Sequence, residues 1–298
     1  MKTKRTRARE LTRATLRRMP LPKLSPDDDK EDRGRVLIVG GSTLVPGAIL
    51  LAGVAALRAG AGKLQLATAR DAAVGLGLAV PEALVLPLPQ NRAGELAGAR
   101  AAAPLRKYAG EVDAILVGPG MMVGPAVGAL LRALAPMVGD DATLVLDGAA
   151  AVALSAAKRG MQKLAGRMVI TPHAGEMADL LKMDKRDVET NAPEVAMRAA
   201  EEFGVIVALK GSESWIAEPG GMLLRYRGGS VGLGTSGSGD TLAGIVAGLA
   251  ARGASPLTAA AWGVWSHGAA GRILSRRVAQ VGFLARELLA EVPGLVIG

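Results

Sequence analysis

The chain runs to 298 residues with a formal net charge of +9 and contains no cysteine. Disulfides, thiolate metal sites and cysteine nucleophiles are therefore excluded, and a reducing cytoplasm is the simplest setting. Half of the residues are hydrophobic but only 2% are aromatic, so the core must be built from Ala, Val, Leu and Ile.

The charge is unevenly placed. Residues 1–18 carry eight Lys or Arg against one Glu, so the rest of the chain holds only +2. The basicity belongs to a tail, read here as a solvated or oligomer-contacting arm. No RNA- or DNA-binding motif accompanies it, and no specific nucleic-acid partner is expected. Residues 1–32 read as a basic, Pro-rich extension, with one domain over 33–298. The apolar stretch 36–57 has the length of a bilayer span, but Gly40-Gly41 and Pro46-Gly47 cut it into a strand, a loop and a helix. With no apolar leader at the N-terminus either, no membrane partner or secretory signal is expected.

In chain order, β-branched or Leu-rich runs predict strands at 35–39, 63–68, 113–117, 143–146, 167–171 and 205–209. A hairpin follows at 214–218 and 222–226. Helical stretches fall near 47–59, 97–108, 124–137, 149–158, 174–182 and 193–203, and a helical tail at 240–252, 257–276 and 284–290. Continuous apolar strands alternating with helices imply an α/β fold, a mostly parallel sheet covered on both faces. In such a sheet ligands sit beyond the carboxyl ends of the strands. Four of those ends carry glycine or polar loops: VGGS, VGPG, LDG and TPHAGE.

The sharpest local signal is Gly234-Thr235-Ser236-Gly237-Ser238-Gly239-Asp240 opening an apolar helix. Glycines allow backbone N–H groups to turn toward a ligand, and the helix start adds a partial positive charge, which together suit phosphate oxygens. Asp240 at the mouth of that hole is either a base that accepts a hydroxyl proton or simply a helix-capping residue. Gly232, Gly234 and Gly237 also spell a dinucleotide fingerprint, but an Ala-rich helix follows where an acidic strand end is required. A phosphate loop of the G-x-x-x-x-G-K-[ST] type is absent.

The GSGD motif opening an apolar helix near the C-terminus resembles the anion hole of the ribokinase-like superfamily. Within it, the chain resembles the ADP/ATP-dependent (S)-NAD(P)H-hydrate dehydratases. The matching segments include GRVLIVGGSTLVPGAILLAGVAALRAGAGKL, VDAILVGPGM, LVLDG, VITPHAGEMADLL, VIVALKGSESWIAEPGG and GTSGSGDTLAGIVAGLAARG, spread over about residues 34–271. The resemblance implies a three-layer α/β/α sandwich with a mostly parallel central sheet. It implies that hydrated NADH or NADPH is phosphorylated on its hydroxyl and then loses phosphate, restoring the intact cofactor. ADP or ATP is the implied donor, with Mg2+ accompanying it.

Carried over residue by residue, the resemblance places Asp240 as base, with Gly237, Ser238 and Gly239 around the transferring phosphate. It places Lys210, Gly211, Ser212, Glu213 and Ser214 in the loop that holds the adenine nucleotide. Ala48, Gly118, Gly120 and His173 would contact the substrate, and Asp147 would help position metal or substrate. It further implies a homo-oligomer, of which a tetramer is one form, and a separate epimerase acting in the same pathway. Ser236 departs from the commoner Gly, and LDG departs from the usual Asp-Ala-Asp. Of the two histidines, His173 follows a strand and reads as functional. His267, in the helical run AAAWGVWSHGAAG, reads as a core or interface residue, and Trp215 as sheet packing. A small-molecule kinase of the same superfamily would use the same phosphate loop and base. A non-catalytic nucleotide-binding regulator is the reading from another class.

Overall fold

The computed structural model describes residues 8–23 and 25–297. Ten strands form one sheet: β1 Arg9–Glu10, β2 Arg35–Val39, β3 Lys63–Ala69, β4 Ala83–Leu88, β5 Ala114–Val117, β6 Thr143–Leu146, β7 Met168–Ile170, β8 Ile206–Leu209, β9 Ser214–Ala217 and β10 Leu223–Tyr226. Their order is β1-β10-β9-β8-β7-β6-β5-β2-β3-β4. All neighbours are parallel except β9, which runs antiparallel to both β8 and β10. Successive side chains point to opposite faces. Leu37, Val39, Ile115, Val117, Leu144 and Leu146 enter one core, while Val36, Ile38, Ala114, Leu116 and Val145 enter the other. Burial on both faces is why these strands read as continuous apolar runs, and the architecture is the expected three-layer α/β/α sandwich.

Two elements escape the sequence pattern. The helix Arg70–Ala79 contains Gly75 and Gly77, which lower its intrinsic propensity. Strand β4 contains Pro87, which only an edge strand tolerates. The expected helix at 97–108 is instead Ala99–Ala102 followed by a 3-10 turn over Ala103–Lys107, since Pro104 cannot donate to the helical ladder.

The basic lead-in differs from a solvated arm over its described part. Strand β1 pairs with β10, and Leu11, Leu16 and Leu21 are buried in the second core. The Nε1 of Trp262 donates to the carbonyl of Met19 at 2.7 Å. Residues 1–7 of that tail lie outside the described residues.

Two helices position the site. A Cβ at Gly244 would lie 2.2 Å from the carbonyl oxygen of Ala52, and one at Gly248 would lie 2.4 Å from that of Ala56. Only glycine permits so close an approach. Both contacts advance by four residues, so helices Pro46–Arg58 and Ser238–Ala251 run side by side in the same direction. Both helix starts thereby reach the switch point between β2 and β5, where an open α/β sheet holds its ligands.

Candidate active site

The helix Ser238–Ala251 begins on Gly237, whose φ of 86° is left-handed and whose cap has no side-chain hydrogen bond. The Ser238 amide donates to the Thr235 carbonyl at 3.2 Å and that of Thr241 to Gly237 at 3.0 Å, which leaves the amides of Gly239 and Asp240 for a ligand. A Cβ on Gly237 would also sit 2.4 Å from Cδ1 of Leu51, whose side chain would have to move aside. Ser238 is buried, and its Oγ lies 2.9 Å from Nε2 of His267. Burial first, and then the nearby positive charge of Lys210, lowers the His267 pKa to about 4. A neutral imidazole thus holds the Ser238 hydroxyl. His267 was expected to be a core or interface histidine; it is buried, but it forms part of the wall behind the helix start.

Three strand ends supply the charge. Asp147 follows β6, Thr171 follows β7 and Lys210 follows β8. The Nζ of Lys210 donates to Oδ1 of Asp147 at 3.1 Å, and Thr171 Oγ1 donates to the same oxygen at 2.6 Å. Glu176 Oε2 lies 4.0 Å from the same amine. A Cβ on Gly239 would come within 3.1 Å of that Nζ, so the amine stands directly over the helix start. Burial alone would lower the Lys210 pKa, but Asp147, Glu176 and Asp240 outweigh it and leave the pKa raised, so the amine stays charged. Asp240 is pushed up to about 7, mainly by burial and secondly by repulsion from Asp147, with Lys210 opposing. A carboxyl titrating near neutrality is poised for general base work.

On one side of this centre lies a cavity of about 670 Å³. Lys210, Gly211, Ser212 and Ser214 line it together with Ser238 and Gly239. Glu213 turns elsewhere: Arg225 grips its carboxylate through two bonds of 2.7 and 2.6 Å. The Arg225 guanidinium also stands 5.1 Å over the Trp215 ring. On the other side, Ala48 and Gly120 touch, since a Cβ on Gly120 would lie 3.0 Å from that of Ala48. Gly118 passes close to the Asp147 backbone, where a Cβ would meet its carbonyl oxygen at 1.9 Å. His173, expected beside Ala48, Gly118 and Gly120, instead borders the cavity of about 670 Å³ with Lys210–Ser212. Its Nδ1 accepts from Gly175 and Glu176 amides at 3.0 and 3.2 Å, while Glu176 accepts from the His173 amide at 2.8 Å. This capping box sets the Glu176 carboxylate toward Lys210. Glu176 and Thr171 carried no role in the sequence reading, although both lie in its TPHAGE motif.

A carbohydrate-kinase-type family model described as NAD(P)H-hydrate dehydratase matches residues 36–294. The chain belongs to the NAD(P)H-hydrate dehydratase family. An ADP-dependent (S)-NAD(P)H-hydrate dehydratase from Xanthomonas campestris pv. campestris is 52% identical over 97% of this chain and 96% of its own length. A bifunctional NAD(P)H-hydrate repair enzyme from Moorella thermoacetica is 39% identical, and this chain spans 53% of that protein. The ADP/ATP-dependent NAD(P)H-hydrate dehydratase of Bacillus subtilis, co-crystallised with ATP/Mg2+, superimposes with a TM-score of 0.80 at 25% identity. That match covers 97% of each chain. Among the described residues no helix is long and apolar enough to cross a membrane. No three His, Cys, Asp or Glu among them are grouped closely enough to hold a metal by themselves. The carboxylates of Asp147 and Glu176 are nevertheless hard oxygen donors of the kind Mg2+ takes beside nucleotide phosphates.

Proposed function

We propose that this dehydratase restores NADH or NADPH from the S-epimer of the hydrated cofactor at the expense of ADP or ATP. The observation that carries the reading is the position of Asp240, a carboxyl with a pKa near 7 on the first turn of an uncapped, glycine-led helix. The nucleotide occupies the cavity beside Lys210–Ser214, with its terminal phosphate against the amides of Gly239 and Asp240. The hydrated nicotinamide ring lies on the side of Ala48, Gly118 and Gly120, while His173 borders the nucleotide cavity.

Asp240 takes the proton from the ring hydroxyl as that oxygen attacks the terminal phosphorus. The phosphorus–oxygen bond to the shorter nucleotide breaks. Lys210 and the helix-start amides hold the charge that spreads over the phosphoryl oxygens, where positioning and electrostatics dominate. The phosphorylated hydroxyl then leaves as phosphate, driven out by the lone pair of the ring nitrogen, and loss of the neighbouring ring proton restores the double bond. Mg2+, when bound, neutralises phosphate charge, and Asp147 and Glu176 are the residues that would hold it.

ADP is the preferred donor, supported by the similarity to the ADP-dependent dehydratase of Xanthomonas. A cytoplasmic homo-oligomer working beside a separate epimerase completes the reading; the Moorella relative joins two repair activities in one chain. The test incubates the protein with hydrated NADPH plus ADP or ATP and follows the return of nicotinamide absorbance. A stable phosphorylated alcohol with no recovered absorbance would make the protein a kinase instead. Nucleotide binding without either product would leave only the regulator.

A further inference from the structure

The sheet edge opposite β4 carries a second cavity, open and of about 880 Å³, that the dehydratase chemistry leaves unused. Its floor is one face of the helix Pro256–Arg277: Trp265, Ala269, Arg272, Ile273, Arg276 and Arg277 recur at helical spacing. The opposite wall is the segment Glu10–Arg13, brought there by the pairing of β1 with β10. Five arginines thus come from three separate parts of the chain, counting Arg13, Arg227, Arg272, Arg276 and Arg277, against the single acid Glu10.

Two of the five are compensated. Arg277 pairs with Glu291 at 2.6 Å, and Arg227 lies 3.3 Å from Glu213 and 3.9 Å from Glu10. The other three have no carboxylate within ion-pair distance among the described residues. Arg13 stands over the Trp265 ring at 5.3 Å, and Arg272 over the Tyr226 ring at 6.0 Å. Arg272 also donates to the Tyr226 hydroxyl at 2.6 Å and to the carbonyl of Gly228. Cations in the last turn of a helix suit its dipole, which accounts for Arg276 and Arg277. It does not account for Arg13 and Arg272 facing the same hollow. Guanidiniums held on aromatic faces, without carboxylate partners, form a preorganised receptor for phosphate oxygens.

We propose that this groove is a second anion site, taking a polyphosphate chain such as that of a nucleoside polyphosphate or a phosphorylated dinucleotide. Its volume falls in the range of small-ligand sites. Tyr226 and Gly228–Gly229 form the partition between it and the nucleotide cavity, with Tyr226 lining both. An anion drawing on Arg272 therefore pulls directly on that shared partition.

The test is calorimetry of the full chain with tripolyphosphate. The wild type is expected to bind two equivalents, one at the helix start and one in the groove, the latter weakening as salt rises. Arg13→Gln combined with Arg276→Gln changes two exposed side chains and should weaken the second equivalent by about tenfold or more. The first equivalent and basal turnover should be unchanged. A single equivalent in the wild type, or two of unaltered affinity in the double variant, overturns the proposal. Binding of a mixed-sequence single-stranded RNA without a second tripolyphosphate also overturns it, making the groove a nucleic-acid surface. NADPH binding that is lost in the double variant distinguishes the sources: tighter than tripolyphosphate it shows a dinucleotide ligand, and equal to it, that phosphates alone are read. Either supports the site.

Discussion

The amine of Lys210 and the carboxylate of Asp147 meet at 3.1 Å, although 63 residues separate them in sequence. The same amine faces Glu176 and contributes a favourable charge to Asp240. It therefore holds three carboxyls at one helix start and keeps the base from being protonated further. With Asp240 near 7, turnover should fall as pH drops through neutrality, because only the ionised form accepts a proton. Lys210→Met should move that acid limb to higher pH in addition to lowering kcat. A pH–rate profile checks this, and an unmoved limb in the variant would remove Lys210 from the electrostatics of the base.

Asp240→Asn separates catalysis from stability. Loss of a general base should reduce kcat by about 10²–10⁴. The folded-state pKa of Asp240 lies above its unfolded value, so ionisation costs the fold. That cost is absent well below pH 4 and complete above about pH 7, on the order of 2–4 kcal/mol. The Asn variant should therefore melt higher than the wild type at pH 8 by a few degrees. The advantage should vanish near pH 4 in thermal scans, and a variant less stable at pH 8 would contradict the burial argument.

His267 acts through Ser238. His267→Ala leaves a buried hydroxyl without its partner and opens a cavity, a loss of roughly 2–4 kcal/mol of stability. Because Ser238 starts the helix, kcat should fall more than nucleotide affinity. His267→Gln, which keeps a hydrogen-bonding group at that position, should restore part of kcat. Equal kcat in the Ala and wild-type proteins would reduce His267 to packing alone.

Ala48→Leu inserts bulk where Ala48 and Gly120 already touch. NADPH, as a product analogue, should lose binding by about tenfold or more, while ADP affinity at Lys210–Ser214 holds. Calorimetry with each ligand measures both, and Ala48→Ser, close to isosteric, should bind NADPH normally.

Deleting residues 1–18 removes strand β1 together with the buried side chains of Leu11 and Leu16. At about 1.5–3 kcal/mol for each large apolar side chain, the truncated chain should lose roughly 3–6 kcal/mol in chemical denaturation. Unchanged stability would mean that this edge of the sheet contributes nothing.

The parallel sheet, its two cores and the glycine-led helix start were legible in the sequence because each rests on local chemistry. Burial on both faces writes itself as an unbroken apolar strand such as Arg35–Val39. A helix that starts on a left-handed residue without a side-chain cap writes itself as Gly237-Ser238-Gly239. Strand β4 and the helix Arg70–Ala79 were not legible, since their glycines and Pro87 are tolerated only because of where they sit at the sheet edge. The electrostatics of the site lay equally out of reach. Lys210 and Asp147 belong to two strand ends, and Glu176 and His267 to two different helices. Charges act through space, so only the tertiary structure decides that these groups share one helix start. Similarly, the basic lead-in shows seven positive charges net in sequence, but only the fold places Arg13 against Trp265 and turns part of that charge into one wall of a groove.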